Sequence, residues 1–301
     1  MLSIFKRKNG SALSAADQSG ESGGKLDEDR LELTHVGPYR IIAPIGAGGM
    51  GKVYKAIDPR RDQTIAVKVL DSRYDVDKKA RKRDYLGREI MIAAQLNHPN
   101  IIRMHPQLVT ETDAAGRQRR CLLMEYIDGH DLKKHITDRD LSLRQMVDLC
   151  IQICQGLDFL HQNLFSRDAR QVKIVDFGLS KSNATWLDRW TKETGGTRLY
   201  MSPEQLKKQK LDERSDIFSL GITMYELFTG RHPCNGQDSR QIMNQLRDPR
   251  YRFEPPSKHN HEIPHALDKI ILKALRRKAD HRYQSVTEML LDLTRLAEAR
   301  I

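Results

Sequence analysis

Residues 46–51 read Gly-Ala-Gly-Gly-Met-Gly, and fifteen positions further the chain reads Ala66-Val67-Lys68. Glycines at this spacing let backbone N–H groups come close to phosphate oxygens, because no side chain stands in the way. The same G-x-G-x-x-G pattern opens dinucleotide-binding folds, where a helix follows the glycines directly. Here Lys52-Val53-Tyr54-Lys55-Ala56-Ile57 alternates as a strand does, so the glycines sit at a hairpin between two strands. Lys68 lies on the next strand, between apolar neighbours. A lysine there holds phosphates and needs an acidic partner to position it. Glu89, on the following helix and nine residues before His98, fits that part.

The elements that must carry these residues can be read from periodicity. Residues 9–30 are Ser-, Gly- and charge-rich and read as a disordered tail, with regular structure beginning near Tyr39. Strands are expected over 40–45, 52–57, 63–70, 101–110 and 121–126, with a helix over 77–96. From Leu143 the rhythm changes. Met146, Cys150, Ile153, Leu157 and Leu160 form the apolar stripe of a helix ending near His161. Residues 215–229 are apolar on nearly every face, which suits a helix buried all round. Amphipathic helices are expected over 264–277 and 285–300, the last opened by a capping box at Ser285-Val286-Thr287-Glu288. The pattern implies an α+β protein: a tail over 1–35, a strand-rich lobe over 36–125 and a helical lobe over 126–301.

A chain of 301 residues, 39% apolar and 30% charged, has the composition of a globular protein with a sizeable core. No apolar run approaches the ~18–20 residues of a membrane span. Met1-Leu2-Ser3-Ile4-Phe5-Lys6-Arg7-Lys8 places its charges after a short apolar stretch, the reverse of a secretory signal. Cys121, Cys150, Cys154 and Cys234 lack metal-type pairing and read as buried core thiols, which suits a reducing cytoplasm. The net charge is +11, and residues 78–83, 117–120 and 207–210 are basic clusters. They lack the aromatic interleaving of a nucleic-acid surface, so they read as solvated faces or as docking points for an acidic protein.

With Asp176-Phe177-Gly178 and the run Gly196-Thr197-Arg198-Leu199-Tyr200-Met201-Ser202-Pro203-Glu204 added, residues 39–298 resemble a Hanks-type serine/threonine protein kinase of the bacterial branch. The resemblance implies a bilobal fold, a small antiparallel sheet followed by a helical lobe, that binds ATP and Mg²⁺. Gly46, Gly48, Gly51 and Lys68 would hold the phosphates, with Glu89 positioning Lys68. Val53 and Ala66 would contact adenine, Met124 would be the gatekeeper, and Glu125 and Ile127 would offer backbone hydrogen bonds. Asp131 would lie near the ribose, and Asn163 and Asp176 would bind the metal. Thr197 would help order the substrate site, Thr191 and Thr194 would be phosphorylation sites, and Glu204 would pair with Arg282.

One part of the pattern is missing. The family places a short strand and a catalytic loop between Gln162 and Asn163, and this loop holds the Asp that accepts the substrate hydroxyl proton. Neither Arg139-Asp140 nor Arg167-Asp168 has the neighbours to replace it, and both read as turn residues. Closing the chain over the gap should fray the helix end or shift the following strand. Asp216, which anchors the buried helix on that loop, should lose its partners. The resemblance therefore implies a kinase domain of the lineage that transfers the ATP γ-phosphoryl group to Ser or Thr hydroxyls, able to bind ATP·Mg²⁺ but catalytically impaired. The alternative is a non-catalytic pseudokinase scaffold. Its partner is a protein, with acidic character matched to the basic clusters, rather than a nucleic acid.

Overall fold

A computed structural model describes residues 5–7, 33–48, 51–70, 90–91, 93–165 and 197–299. These residues fall into two compact units. One contains the described residues of 5–97 together with 102–129, and the other contains 98–101 and the described residues of 130–301.

The first unit is a six-stranded antiparallel sheet. Its strands are β1 (His35–Val36), β2 (Tyr39–Gly48), β3 (Gly51–Asp58), β4 (Gln63–Leu70), β5 (Met104–Thr112) and β6 (Gln118–Glu125), ordered β1-β2-β3-β4-β6-β5. Period-two alternation sends Tyr54, Ala56, Ile65, Val67, Val69, Cys121 and Leu123 into one buried cluster. Regular structure starts earlier than the expected Tyr39. Leu33 and Val36 are buried in that same cluster, because two apolar residues at this spacing complete the sheet's covered face. Phe5–Arg7 is also extended, inside the stretch expected to be a tail, whereas 8–32 lie outside the described residues. The expected helix over 77–96 is described only from Ile90 onward, where Ile90 and Ala93 are helical and buried.

The second unit is helical. Its helices are α1 (Leu132–Asp138), α2 (Leu143–Phe165), α3 (Pro203–Leu206), α4 (Arg214–Thr229), α5 (Ser239–Arg247), α6 (His265–Ala274) and α7 (Val286–Glu298). α1 was not foreseen from periodicity. It is short, and its start is set by Asp131, whose carboxylate accepts from Lys134 N at 2.9 Å as an N-cap. Ser142 and Gln145, which sit where a catalytic motif would put its Lys and Asn, instead form a capping box that opens α2. Gln145 N donates to Ser142 Oγ at 3.3 Å and Ser142 N donates to Gln145 Oε1 at 2.9 Å. At the start of α7 only half of the expected box forms. Ser285 Oγ accepts from Glu288 N, but Glu288 reaches one residue too far back and accepts from Gln284 N at 3.0 Å.

His98–Ile101 pack with the helical unit although they precede β5. Asn100 Nδ2 donates to Gln152 Oε1 at 3.3 Å, and the His98 and Phe159 rings lie 5.0 Å apart. The four cysteines are all buried, as their spacing suggested, and burial pushes the Cys154 and Cys234 thiols up to about 12. Among the described residues no helix is long and apolar enough to cross a membrane. The basic run at 117–120 is not a wholly solvated face. Arg119 is 8% exposed, donates to Leu70 O at 2.8 Å and lies 3.6 Å from Asp113. It staples the β5–β6 turn to the end of β4.

α4 is buried on most of its circumference, as its composition demands. Beside it, Arg282 has a fully buried side chain and grips Glu204 through two bonds, at 2.7 and 2.9 Å. Its remaining donors go to the carbonyls of Arg214, Arg276 and Arg277, and its guanidinium lies over Phe218. Burial alone would raise the Glu204 carboxyl, but the Arg282 bonds and charge outweigh it and hold the group at about 2. A carboxylate held below its unfolded value of about 4.5 contributes stability that is full above that value and is lost as pH falls toward 2. Glu204→Gln should therefore destabilise the helical unit by about 3–5 kcal/mol at neutral pH. Urea melts should show the gap between variant and parent narrowing between pH 4.5 and 2, and a gap that stays constant there would refute the assignment.

Candidate functional site

The candidate nucleotide face that the resemblance implies is built by strand register. Val53 pairs with Lys68, Lys55 with Ala66, and Ala66 with Met124, so these side chains emerge on one side of the sheet, opposite the buried cluster. Val53, Ala66, Lys68 and Met124, chosen from the sequence for separate reasons, thus share one surface. Lys55 on the same surface lies over the Tyr126 ring at 4.8 Å, a contact the sequence reading missed.

The glycines differ in their reasons for being glycine. β2 and β3 pair as far as Gly48 with Gly51, which confirms the hairpin. Gly51 has φ +131°, and a Cβ there would stand 1.9 Å from Val69 O, so the backbone itself forbids a side chain. A Cβ at Gly46 would meet nothing within 4 Å. The space over Gly46 is open, as a phosphate cradle requires.

Past the sheet, Glu125 N donates to Arg103 O at 3.0 Å and its carboxylate accepts from Arg103 N at 2.8 Å. That N–H is thus committed to the residue just before β5. Ile127 follows in irregular backbone and is half-buried. Asp131 belongs to the helical unit, where its carboxylate is the cap of α1.

The largest departure from expectation is at the gap. α2 does not end at His161. It continues as regular helix to Phe165, since nothing in Gln162-Asn163-Leu164-Phe165 breaks a helix. Asn163 therefore stands on a helix, with Nδ2 donating to Phe159 O one turn back at 2.7 Å, and not on a loop as a metal-binding residue of the family would. Asp216 is not stranded either. His161, 4% exposed, places Nε2 3.0 Å from Asp216 Oδ2 and Nδ1 3.7 Å from Glu213. Asp216 itself is 31% exposed, so part of its hydration survives. The imidazole, one turn before the end of α2, is thus a partner of Asp216 where none was expected. Asp140 likewise serves locally, 2.8 Å from His135 Nδ1.

Thr197 begins the 3₁₀ turn Thr197–Tyr200, which is tied to α4. Ser219 Oγ donates to Tyr200 O at 2.7 Å, and Tyr200 OH donates to Glu226, whose carboxyl burial holds above its usual range. His232 Nε2 donates to Leu199 O at 3.0 Å while its Nδ1 accepts from Cys234 N, the pattern of a neutral ring, and burial lowers its pKa. Glu89, Arg167, Asp168, Asp176, Thr191 and Thr194, and the basic cluster at 78–83, lie outside the described residues. Among the described residues no group of three metal-ligating side chains forms. The nucleotide face fits a phosphate-bearing ligand, whereas a Mg²⁺ site through Asn163 does not fit the helical position of that residue.

The family model for the protein kinase domain matches residues 39–292. The chain belongs to the protein kinase family. It is 33% identical over 278 residues to the serine/threonine-protein kinase PknB of Mycolicibacterium smegmatis, covering 87% of this chain and 43% of that protein. It is 35% identical over 273 residues to PknB of Mycobacterium leprae, covering 86% and 43%. The chain thus spans less than half the length of these curated relatives. Its fold is similar to that of the Mycobacterium tuberculosis PknI kinase domain, with a TM-score of 0.61 at 24% identity, covering 89% of this chain and 99% of that one. The strand-rich and helical units are the two lobes of a bacterial Ser/Thr kinase domain, as the motifs implied.

Two substitutions separate the glycine roles. Gly46→Ala should leave the melting temperature within about 2 °C of the parent, a surface-sized effect. Gly51→Ala should lower it by several degrees through the clash with Val69 O; equal melting temperatures would refute the distinction. A double-mutant cycle on His161→Ala and Asp216→Ala should show a coupling of about 1–3 kcal/mol in urea melts. Coupling near zero would mean that the 3.0 Å contact contributes nothing.

Proposed function

We propose that this kinase domain binds ATP on the face formed by Gly46, Gly48, Gly51, Val53, Ala66, Lys68 and Met124, and that phosphoryl transfer by the chain as it stands is strongly impaired. Family membership and the register that brings Val53, Ala66 and Lys68 onto one surface support the first half. The uninterrupted helix Leu143–Phe165 supports the second, and it is the single observation that carries the reading. The helix occupies the stretch from which a catalytic loop would depart, and its last turn contributes no carboxylate to take a hydroxyl proton. Bound ATP would be positioned by Lys68, with Glu89 orienting the amine and Asp176 offering the carboxylate for Mg²⁺. Ser or Thr hydroxyls of a protein would be the acceptors of the lineage chemistry, and Thr197 would help order them. A positioned general base contributes ~10²–10⁴ in rate, so its absence leaves a domain that grips nucleotide and transfers slowly.

The test compares the chain with a variant into which a catalytic loop carrying Asp, Lys and Asn is inserted after Gln162. Both should bind a fluorescent ATP analogue in the presence of Mg²⁺, and Lys68→Met should weaken that binding about tenfold or more. Phosphoryl transfer to a generic basic protein should be at least ~10²-fold faster in the inserted variant. Transfer at equal rates would overturn the impaired reading, and absence of nucleotide binding in both proteins would overturn the ATP site.

A further inference from the structure

The C-terminal lobe carries a basic cleft that plays no part in the nucleotide site. It encloses about 360 Å³ and is lined by Arg252, Arg276, Arg277 and Lys278, with Phe253 and Leu275 among its apolar residues and no carboxylate in its wall. Arg277 is its fixed point. Nη1 and Nη2 donate to the carbonyls of Leu246 and Gln245 at the end of α5, Nε is buried without a partner, and the guanidinium lies over Phe253 at 4.7 Å. Carbonyls and an aromatic face hold this cation in place but do not neutralise it, and burial lowers its pKa.

Two nearby acids are occupied elsewhere: Asp280 pairs with Arg214, and Glu254 with Lys258 and His259. Asp248 accepts from Arg250 N and faces Arg277, offsetting part of its charge. Arg252, Arg276 and Lys278 are exposed at the mouth. A second cleft of about 290 Å³ shares Arg277 and Lys278 and adds Lys207 and Lys210, and its two carboxylates, Glu204 and Asp212, are paired with Arg282 and Arg214. The basic run at 207–210 and the run at 276–278, far apart in sequence, thus meet on one surface.

Several converging cations with guanidinium forks match a dianionic phosphoryl group better than a single carboxylate. The apolar residues of the cleft leave room for a neighbouring side chain, which a peptide supplies. Phe253 and Tyr251 pack edge to face at 5.6 Å, so they offer no open ring on which a base could stack. We propose that this cleft is a docking site for a phosphoserine- or phosphothreonine-bearing segment of a partner protein. The site acts independently of the nucleotide face and of whether the chain transfers phosphate.

The test uses the full chain and fluorescence anisotropy with a degenerate peptide library bearing a central phosphoserine, beside its unphosphorylated twin. The phosphorylated library should bind about tenfold or more tightly, and inorganic phosphate should compete. The triple variant R252S/R276S/K278S should weaken binding at least about tenfold with an unchanged melting curve. The control R40S/R60S/R61S removes the same charge from exposed positions of the other lobe and should leave binding intact. Equal loss in both variants would reduce the effect to net charge and overturn the proposal. So would a lack of phosphate preference, or tighter binding of a single-stranded RNA or of anionic vesicles that is lost in the same triple variant.

Discussion

A helix buried on nearly every face must find a partner for each polar group it carries, and α4 sets that condition for the whole C-terminal lobe. Ser215 donates to Glu204, which brings in Arg282 and closes α3 onto the lobe. Ser219 and Glu226 hold Tyr200, fixing the 3₁₀ turn that begins at Thr197. Asn260 donates to the Phe228 carbonyl, securing the segment before α6. Asp216, in the first turn, reaches His161 at the far end of α2. An unsatisfied group at any of these places would cost more than its hydrogen bond contributes.

The same condition governs the first turn of α4, where the resemblance led Asp216 to be expected without partners. α2 runs on one turn past His161, and the His161 imidazole reaches Asp216 at 3.0 Å and stands near Glu213. That contact joins α2 to α4 and keeps the Asp216 carboxylate paired. In the N-terminal lobe the face that carries Lys68 is defined by strand pairing within that lobe alone.

Much of this was legible in the residues. Alternation marked 52–57 and 63–70 as strands, and the structure pairs them antiparallel, Val53 with Lys68 and Lys55 with Ala66. The stretch 215–229, apolar on nearly every face, became the buried α4, and the Glu204–Arg282 pair formed as the resemblance implied. What escaped was contact between distant residues of ordinary type. Nothing local marks His161 as the partner of Asp216, fifty-five positions away. Arg119 looked like a surface charge until the β5–β6 turn buried it against Leu70. The resemblance put Asp131 near the ribose, and its part as the N-cap of α1 went unseen.

The sequence by itself determined the elements, the family and the chemistry on offer, because periodicity, turn residues and short motifs are local properties of the chain. Only the tertiary structure decided which charges are neutralised and which stand exposed, where α2 stops, and what Asp216 binds. Those outcomes depend on which groups are brought within about 3 Å after burial, and a group's distance along the chain says nothing of that.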